Sequence, residues 1–283
     1  MILRFSWLIG GALLLWQTSS AHAAASVQLV GLEGRVLPAV VELPAVFGNH
    51  EKGLDLEISG VTAQSASLRA DLLQVAGGLA MPLAKDIHLQ DGIAFPNTSP
   101  QHVRVSIKFP DVKQRAELLV RLSLIADLPN AKQVEQLGDL HFEVFPASLT
   151  KELTDLLQPK PDAHVIIFGS GQKLRLFLTG LHVPFEDGGS DTPDRFDPSR
   201  LYLGELSTEE QFQQVQDRSA GGRVVLFSPD QSLPAGVYSD RSSAGVLIRV
   251  TLPLLDNLSD DPRSQLGLIK IIHLLSAPPP SAN

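Results

Sequence analysis

Three short segments of this chain carry side chains that could bind a ligand, and each follows an apolar run. Because the carboxyl ends of parallel strands meet at one edge of a sheet, we expect these segments to lie close together. Glycine lets a backbone approach a ligand, and a helix that follows offers free N–H groups to an anion. The alternative is that the segments are ordinary tight turns. The predicted ligand-binding residues are Gly169, Ser170, Gly171, Glu205, Ser228 and Asp230.

These segments do not match the motifs of a serine hydrolase or a dinucleotide-binding protein. A serine nucleophile at a strand-to-helix turn requires the pattern G-x-S-x-G. Neither Ser170 nor Ser228 has a glycine two positions before it or two positions after it. The dinucleotide pattern G-x-G-x-x-G fails as well, because position 174 is leucine. We therefore predict no catalytic residue.

Metal-binding side chains lack the spacing that a metal site requires. The chain has no cysteine, and its 8 histidines form no H-x-H or H-x-x-x-H pair. Residues 186–194 form an acidic segment, but its oxygens do not follow the alternating positions of a calcium loop. Arg195 and Arg200 can neutralise its carboxylates. We predict a solvated loop here, no metal and no cofactor.

The first half of the chain has an apolar period of two. Apolar and polar residues alternate in the runs 54–58, 102–109, 118–124 and 140–144. Turn-forming residues separate such runs at 91–92, 97–100 and 110–111. Alternation places one face of a strand in a core and the other in water. We predict an all-β, antiparallel sandwich over residues 24–146, with a loop at the polar residues 129–138.

The spacing of the apolar residues changes from a period of two to a helical period at Phe145-Pro146, the predicted domain boundary. Continuous apolar runs, typical of strands buried on both faces, occur at 164–168, 201–203, 224–227 and 246–252. Helices are predicted to have Ser148 as an N-cap, to begin after Gly171, at a Ser207–Glu210 capping box and at Asp261-Pro262. Strands alternating with helices predict an open, mostly parallel, flavodoxin-like sheet over 147–276. The last helix is apolar on nearly every side, so it packs under this sheet or contacts a partner, and we expect the first.

Two resemblances to known families rest on these patterns. Residues 24–146 look like the Ig-like modules that precede other domains in bacterial exported proteins, although the Cys…Trp…Cys core of immunoglobulins is absent. The order Val165-Ile166-Ile167-Phe168-Gly169, an amphipathic helix, Leu203-Gly204-Glu205 and residues 220–226 resembles the class I glutamine amidotransferase-like fold. That family needs a cysteine at a strand-to-helix turn, and this chain has none. The resemblance therefore implies a non-catalytic version, a type of domain known as an accessory in some glycoside hydrolases and other exported or membrane-associated proteins.

The first 23 residues are predicted to be a signal peptide. Arg4 precedes an apolar stretch at 5–16, and Ala21-His22-Ala23 gives the small-x-small pattern of a cleavage site. A membrane anchor is the alternative, but the stretch is shorter than the roughly 20 residues of a spanning helix. We predict export to the periplasm or the medium, with no transmembrane segment after cleavage. The proline-rich residues 277–283 predict a disordered tail.

Charge and aromatic content narrow the classes of partner. The 23 Lys and Arg residues are outnumbered by 31 Asp and Glu residues, which argues against nucleic acid and anionic lipid. Both tryptophans lie in the predicted signal peptide, which argues against a sugar-stacking surface. The sequence predicts an exported, non-catalytic binding or assembly protein whose partner is another protein or an envelope component. The alternatives are a hydrolase acting at the carboxyl edge of the sheet and a carbohydrate-recognition module.

Overall fold

The computed structural model describes most of the chain between residues 25 and 276. The described residues are 25–29, 43–96, 99–128, 131–158, 165–219, 221–228, 234–242 and 245–276. The predicted signal peptide, the predicted tail and Asp230 lie outside them. This part of the chain has mixed α/β content, with several sheets and few helices. None of its helices has the length and apolar character needed to cross a membrane.

The first eight strands form two sheets that face each other. Their bounds are β1 Ser26–Leu29, β2 Ala45–Phe47, β3 Glu51–Ser59, β4 Ser65–Ala76, β5 Leu79–Ala94, β6 Gln101–Lys108, β7 Ala116–Leu128 and β8 Ala131–Phe145. One sheet has the order β1-β3-β6 and the other β2-β8-β7-β4-β5. All pairings are antiparallel except that of β2 with β8.

An apolar core fills the space between these two sheets. The alternation at 102–109 is confirmed, since Val103, Val105 and Ile107 are buried and the residues between them are exposed. The rings of Phe109 and Phe142 meet in this core, with centroids 5.0 Å apart. Every buried member of the cluster precedes residue 145. The first half of the chain therefore has an apolar core of its own.

Two predictions of irregular structure in this half are wrong. Residues 131–138, predicted as part of a loop, belong to β8, because they pair with β7 from the Leu128–Ala131 pair onward. Residues 91–92, predicted as a turn, lie inside β5, where Gly92 has φ +64° beside a shift in the register with β4. The turn-forming residues make a bulge here instead of ending the strand.

The second half of the chain folds around a six-stranded sheet. Its elements are α1 Ser148–Leu157, β9 Val165–Gly169, α2 Gln172–Gly180, β10 Phe185–Asp187, β11 Leu201–Glu205, α3 Glu209–Arg218, β12 Arg223–Phe227, β13 Val237–Ser242, β14 Gly245–Val250 and α4 Pro262–Ser276. The strand order is β10-β9-β11-β12-β14-β13. Every pairing is parallel except that of β13 with β14. The predicted open, mostly parallel sheet is confirmed.

Helices cover both faces of this sheet. Residues of α1, α2 and α4 share one apolar cluster with one face, and α3 packs with the other face. The inner side of α4 is buried in the first cluster through Leu268, Ile269, Ile271, Ile272 and Leu275. The expectation that this helix packs under its own sheet is confirmed.

Two of the predicted helix starts are displaced by one residue. The capping box of α3 is formed by Thr208 and Gln211, one position after the predicted pair Ser207 and Glu210, because the Thr208 hydroxyl accepts from the Gln211 N–H at 3.3 Å. Ser148 is the first residue of α1 and not its cap. Asp261 does cap α4, since its carboxylate accepts from the Arg263 N–H at 3.1 Å.

The two halves of the chain are in contact through a buried carboxylate. Glu143 of β8 is 6% exposed and accepts a hydrogen bond from Arg263 Nε of α4 at 2.7 Å. The same guanidinium donates to the Leu43 carbonyl at 2.6 Å. Phe47 and Phe145 pack into the apolar cluster of α1, α2 and α4. This contact places β2 and the end of β8 against α4.

Candidate functional site

The carboxyl ends of β9 and β11 meet at a gap that we call the first gap. The strand order reverses here, because the chain leaves β9 toward β10 on one side and later adds β11 on the other. Ligands of open α/β sheets bind at such a switch point. In this chain Ser170 fills the position: its N–H and its hydroxyl both donate to the Glu205 carbonyl, at 3.0 Å and 3.2 Å. The first gap is closed by the protein's own backbone.

The glycines of this turn allow that close contact. Gly169 has φ +74°, and a Cβ atom there would lie 2.3 Å from the Glu205 carbonyl oxygen. A Cβ atom on Gly171 would lie 2.6 Å from Cγ2 of Ile167. The structure therefore gives both glycines a packing role. It brings Gly169, Ser170, Gly171 and Glu205 together as predicted, but the Ser170 N–H already has an acceptor.

A second opening at the same edge holds a cavity of about 310 Å³, which we call the edge cavity. It lies where β11, β12 and β14 end and where α2 begins. Its polar lining residues are Lys173, Glu205, Ser228, Thr251 and Asp256. Its apolar lining residues are Phe227, Leu252, Pro253 and Leu255. Two of the predicted site residues, Glu205 and Ser228, thus line one cavity.

Two of the lining residues of the edge cavity form an ion pair. The ammonium group of Lys173 donates to the carboxylate of Asp256. This hydrogen bond and the charge of Asp256 raise the pKa of Lys173, and the charge of Glu205 adds to the effect. The Lys173 side chain is therefore a cation at neutral pH and is not available as a base.

The Ser228 hydroxyl is the unusual group in the cavity. Ser228 is 9% exposed, and its backbone N–H donates to the Val250 carbonyl at 3.0 Å. Its hydroxyl has no hydrogen-bond partner among the described residues, and the Glu205 carboxylate likewise accepts no hydrogen bond from them. The Ser228 oxygen is not one of the fully buried side-chain atoms without a partner, so water can reach it. A bound group with a hydrogen-bond donor would replace that water.

The described lining of the edge cavity contains no histidine-serine pair of the kind that nucleophilic catalysis uses. A serine nucleophile needs a base within hydrogen-bond reach. No histidine in the described part of the chain lines the edge cavity, and the charged Lys173 is paired with Asp256. The described residues also contain no group of three side chains that could hold a metal ion.

Lys173, Thr251 and Asp256 are site residues that the sequence did not predict. Lys173 had a detectable signal, since it follows the glycine turn by two residues and so lies in the first turn of α2. Thr251 comes directly after β14, at the same sheet edge as the predicted residues. Asp256 lies in an irregular stretch between β14 and α4, where the sequence has no pattern that places it.

The acidic segment 186–194 lies beside the first gap and has basic partners. Its first residues, Glu186 and Asp187, belong to β10, so the prediction of a loop is wrong for them. Arg175 of α2 donates to Asp187 at 2.7 Å, and this hydrogen bond, together with one from the Gly189 N–H, lowers the pKa of Asp187. The predicted neutralisation by Arg200 is confirmed, because its guanidinium pairs with Glu186.

A larger cavity, of about 370 Å³, lies between β2, α2 and the start of α4. Its buried amide belongs to Gln265, which is 2% exposed. That amide accepts from the Thr150 hydroxyl at 3.0 Å and donates to the Leu258 carbonyl at 3.2 Å. Because this buried group is already paired, the edge cavity is the stronger candidate for a binding site.

Comparisons with known proteins supply no family for this chain. No protein-family model and no curated protein matches it. Among solved structures, the alkylpurine DNA glycosylase AlkC of Pseudomonas fluorescens, bound to DNA containing an abasic site analog, is 18% identical, with 44% of this chain and 31% of that chain covered and a TM-score of 0.26. A Niemann-Pick type C2 protein from the Japanese carpenter ant is 6% identical, with 43% and 89% covered and a TM-score of 0.26.

A family 123 glycoside hydrolase from Clostridium perfringens is similar over more of this chain. It is 10% identical, with 91% of this chain and 46% of that chain covered and a TM-score of 0.27. The chain thus spans less than half the length of this hydrolase and about a third of the glycosylase. At these TM-scores the likenesses carry no argument about fold or function.

Proposed function

We propose that this chain is an exported, non-catalytic binding protein and that the edge cavity is its binding site. The observation that carries the proposal is the Ser228 hydroxyl, which belongs to a mostly buried residue of the cavity lining and has no hydrogen-bond partner among the described residues. The Glu205 carboxylate lines the same cavity and also accepts no hydrogen bond from them. The fold brings two polar groups to one cavity and leaves both without hydrogen bonds from the described residues. This arrangement supports a ligand that supplies those hydrogen bonds.

The size of the cavity supports a small occupant. Ligand sites in proteins enclose roughly 300–1,000 Å³, and the edge cavity, at about 310 Å³, is at the lower end of that range. It fits a small molecule or a single side chain presented by another protein. The side chain of another protein is the occupant that agrees with the prediction of a protein partner.

We further propose that the chain has two domains that meet at residues 145–146. The first is an Ig-like sandwich and the second a non-catalytic amidotransferase-like domain, as the two resemblances imply. The support for the division is that the core between the first two sheets uses only residues before Phe145. The six-stranded sheet has its own helices on both faces. Neither resemblance brings an activity to the chain.

Export is proposed from the pattern of residues 1–23 alone. If a signal peptidase cleaves after Ala23, the protein recovered from the periplasm or medium of an expressing bacterium begins at Ala24. Mass spectrometry of the intact protein and of its N-terminal peptide measures this directly. A full-length chain that stays with the membrane fraction would contradict export as a soluble protein.

The binding function is tested with a panel of small metabolites and measurement of the thermal unfolding midpoint. A ligand that binds the folded state raises this midpoint. We expect at least one compound to raise it in the wild-type protein and in Ser106→Ala, an exposed serine of β6 that serves as the control. The same compound should lose most of its effect on Ser228→Ala. A panel whose effects are equal in both variants would contradict the proposal.

The alternatives predict different results with the same variants. A hydrolase would turn over an ester or amide substrate, and Ser228→Ala would abolish the turnover. A carbohydrate-recognition module would bind glycans whether or not Ser228 is changed, since sugars stack on aromatic surfaces. Among the described residues that line the edge cavity, the only aromatic one is the buried Phe227. Either result would replace the proposed function.

A further inference from the structure

The charges that line the edge cavity do not cancel. Lys173 contributes one positive charge, and Glu205 and Asp256 contribute two negative charges. Lys173 and Asp256 neutralise each other in their ion pair. The carboxylate of Glu205 is left with no hydrogen-bond donor among the described residues. The cavity therefore has one negative charge in excess.

Ser228 and Glu205 both line the edge cavity, at the ends of neighbouring strands. Glu205, the last residue of β11, pairs with Phe227, and Ser228 follows Phe227 directly. A serine oxygen has two lone pairs and accepts hydrogen bonds, as a carboxylate does. The sheet edge thus presents a carboxylate and a hydroxyl acceptor on neighbouring strands, which is the complement of a group with several N–H donors and a positive charge.

Resting on the binding function proposed above, we propose that the edge cavity binds its ligand through a protonated primary amino group. An ammonium group has three donors and no acceptor. In the edge cavity it would donate to Glu205 and have further donors left for Ser228, and a hydrogen bond between charged partners is about twice as strong as a neutral one. The same binding pairs the excess carboxylate and gives the Ser228 hydroxyl a donor.

The remaining wall of the cavity defines the body of the ligand. Phe227 and Leu255 are 3% and 8% exposed and line the cavity together with Leu252. An apolar surface favours an apolar group, because burial removes both from water. The ligand class is therefore a small amine with an apolar body. A free amine and the lysine side chain of another protein share this chemistry.

An anionic ligand fits the same groups less well. An anion would have to take Lys173 from Asp256 and then lie beside two carboxylates. The Ser170 N–H in the glycine turn is committed to the Glu205 carbonyl. The helix that follows the turn offers its remaining N–H groups, but the net charge of the lining opposes an anion there.

The test compares three probes of one shape on the whole mature chain. Benzylamine carries the positive charge, benzyl alcohol is neutral and benzoate is negative. Titration calorimetry and NMR chemical shifts give the dissociation constants at pH 7. We expect benzylamine to bind at least about tenfold more tightly than benzyl alcohol, because a charge-assisted hydrogen bond replaces a neutral one. Benzoate should bind more weakly than either.

Glu205→Gln is the variant that isolates the charge. It keeps the size of the side chain and leaves the backbone carbonyl that holds Ser170 unchanged, so its thermal unfolding midpoint should equal that of the wild type. We expect it to weaken benzylamine binding about tenfold and to leave benzyl alcohol unaffected. Glu210→Gln, at an exposed residue of α3, is the matched control and should change neither constant. A peptide with a single internal lysine, titrated in parallel, distinguishes a protein partner from a free amine.

The outcomes separate this inference from the proposed function. Benzylamine binding that is equal in Glu205→Gln and the wild type overturns the amine ligand. So does benzoate binding that Lys173→Met abolishes, while that result keeps the edge cavity as a binding site. If no probe binds and no compound of the metabolite panel gives a Ser228-dependent shift, the proposed function fails as well.

Discussion

The first gap and the edge cavity lie side by side at one sheet edge and share Glu205, yet one is closed and the other is open. In the first gap the Glu205 backbone carbonyl accepts two hydrogen bonds from Ser170. In the edge cavity the Glu205 carboxylate has no hydrogen-bond donor among the described residues. The backbone of this residue therefore serves the fold, and its side chain is left for a ligand.

The difference shows that a glycine-rich turn after a strand is not by itself a ligand site. The switch-point rule places a ligand between β9 and β11, where the strand order reverses. Here Gly169 lets the chain turn so closely that Ser170 fills this position. The polar groups without a described partner lie at the next opening, where Glu205 ends β11 and Ser228 follows the end of β12. The edge cavity is recognised because its polar groups have no hydrogen-bond partner among the described residues. A sequence motif does not show which groups lack partners.

Substituting Gly169 should have the largest effect, because it breaks the closed state of the first gap. Gly169→Ala places a Cβ atom 2.3 Å from the Glu205 carbonyl oxygen at φ +74°. Both the strained backbone and the clash with backbone atoms oppose the native turn, so we expect a loss of about 2–4 kcal/mol in the free energy of unfolding. Urea denaturation followed by circular dichroism measures it.

Gly180→Ala is the control for this substitution. Gly180 is the last residue of α2, and an added Cβ atom meets nothing within 4 Å. Alanine favours a helix more than glycine does, so the variant should be as stable as the wild type or gain up to about 1 kcal/mol. Equal stabilities for the two alanine variants would show that the first gap is not tightly closed.

The sequence could predict the parts of this site that follow from short local patterns. It could not predict the parts that depend on tertiary packing. The ends of β11 and β12 follow from short apolar runs, so Glu205 and Ser228 could be placed at one edge before the structure was known. The partner of Lys173 could not, because Asp256 lies 83 positions away in an irregular stretch. Its position is fixed by tertiary packing of the chain between β14 and α4, which leaves no periodic pattern.

The same distinction applies to the first half of the chain. The inner faces of β6 and β7 were predictable from alternation, since their apolar residues are buried and their polar residues face water. The long edge strand β5 was not, because most of its side chains are exposed, including Leu79 and Met81. Its signal was the Gly77-Gly78 pair, whose φ angles of +58° and +79° suit a two-residue hairpin turn.

Two serine variants test the difference between the first gap and the edge cavity. We expect them to change the free energy of unfolding less than Gly169→Ala does. Ser170→Ala removes a hydroxyl that donates to the Glu205 carbonyl at 3.2 Å, and we expect it to cost about 0.5–1 kcal/mol in the free energy of unfolding. Ser228→Ala removes a hydroxyl without a described partner, so stability should stay within about 0.5 kcal/mol of the wild type or rise. Urea denaturation of both variants tests this order. A larger loss for Ser228→Ala than for Ser170→Ala would show that Ser228 has a structural partner and would remove the observation on which the binding site rests.

The ion pairs beside the two openings should lose their stabilising contribution at opposite ends of the pH scale. Of the effects predicted here on the stability of the fold, we expect this one to be the smallest. Arg175 and the Gly189 N–H lower the pKa of Asp187 from 3.8, so this carboxylate stabilises the fold above that pH and loses its contribution as the pH falls through its folded pKa. Asp256 raises the pKa of Lys173 from 10.5, so the ammonium stabilises the fold below that pH and loses its contribution as the pH rises through the higher folded value.

NMR titration of the two side chains measures both shifts directly. We expect Arg175→Met to move the pKa of Asp187 up toward 3.8 and leave that of Lys173 unchanged, because its guanidinium bonds to Asp187. Asp256→Asn should move the pKa of Lys173 down toward 10.5 and leave that of Asp187 unchanged. If either substitution moved both values, the two openings would be coupled through Glu205, and the closed gap and the edge cavity would have to be treated as one site.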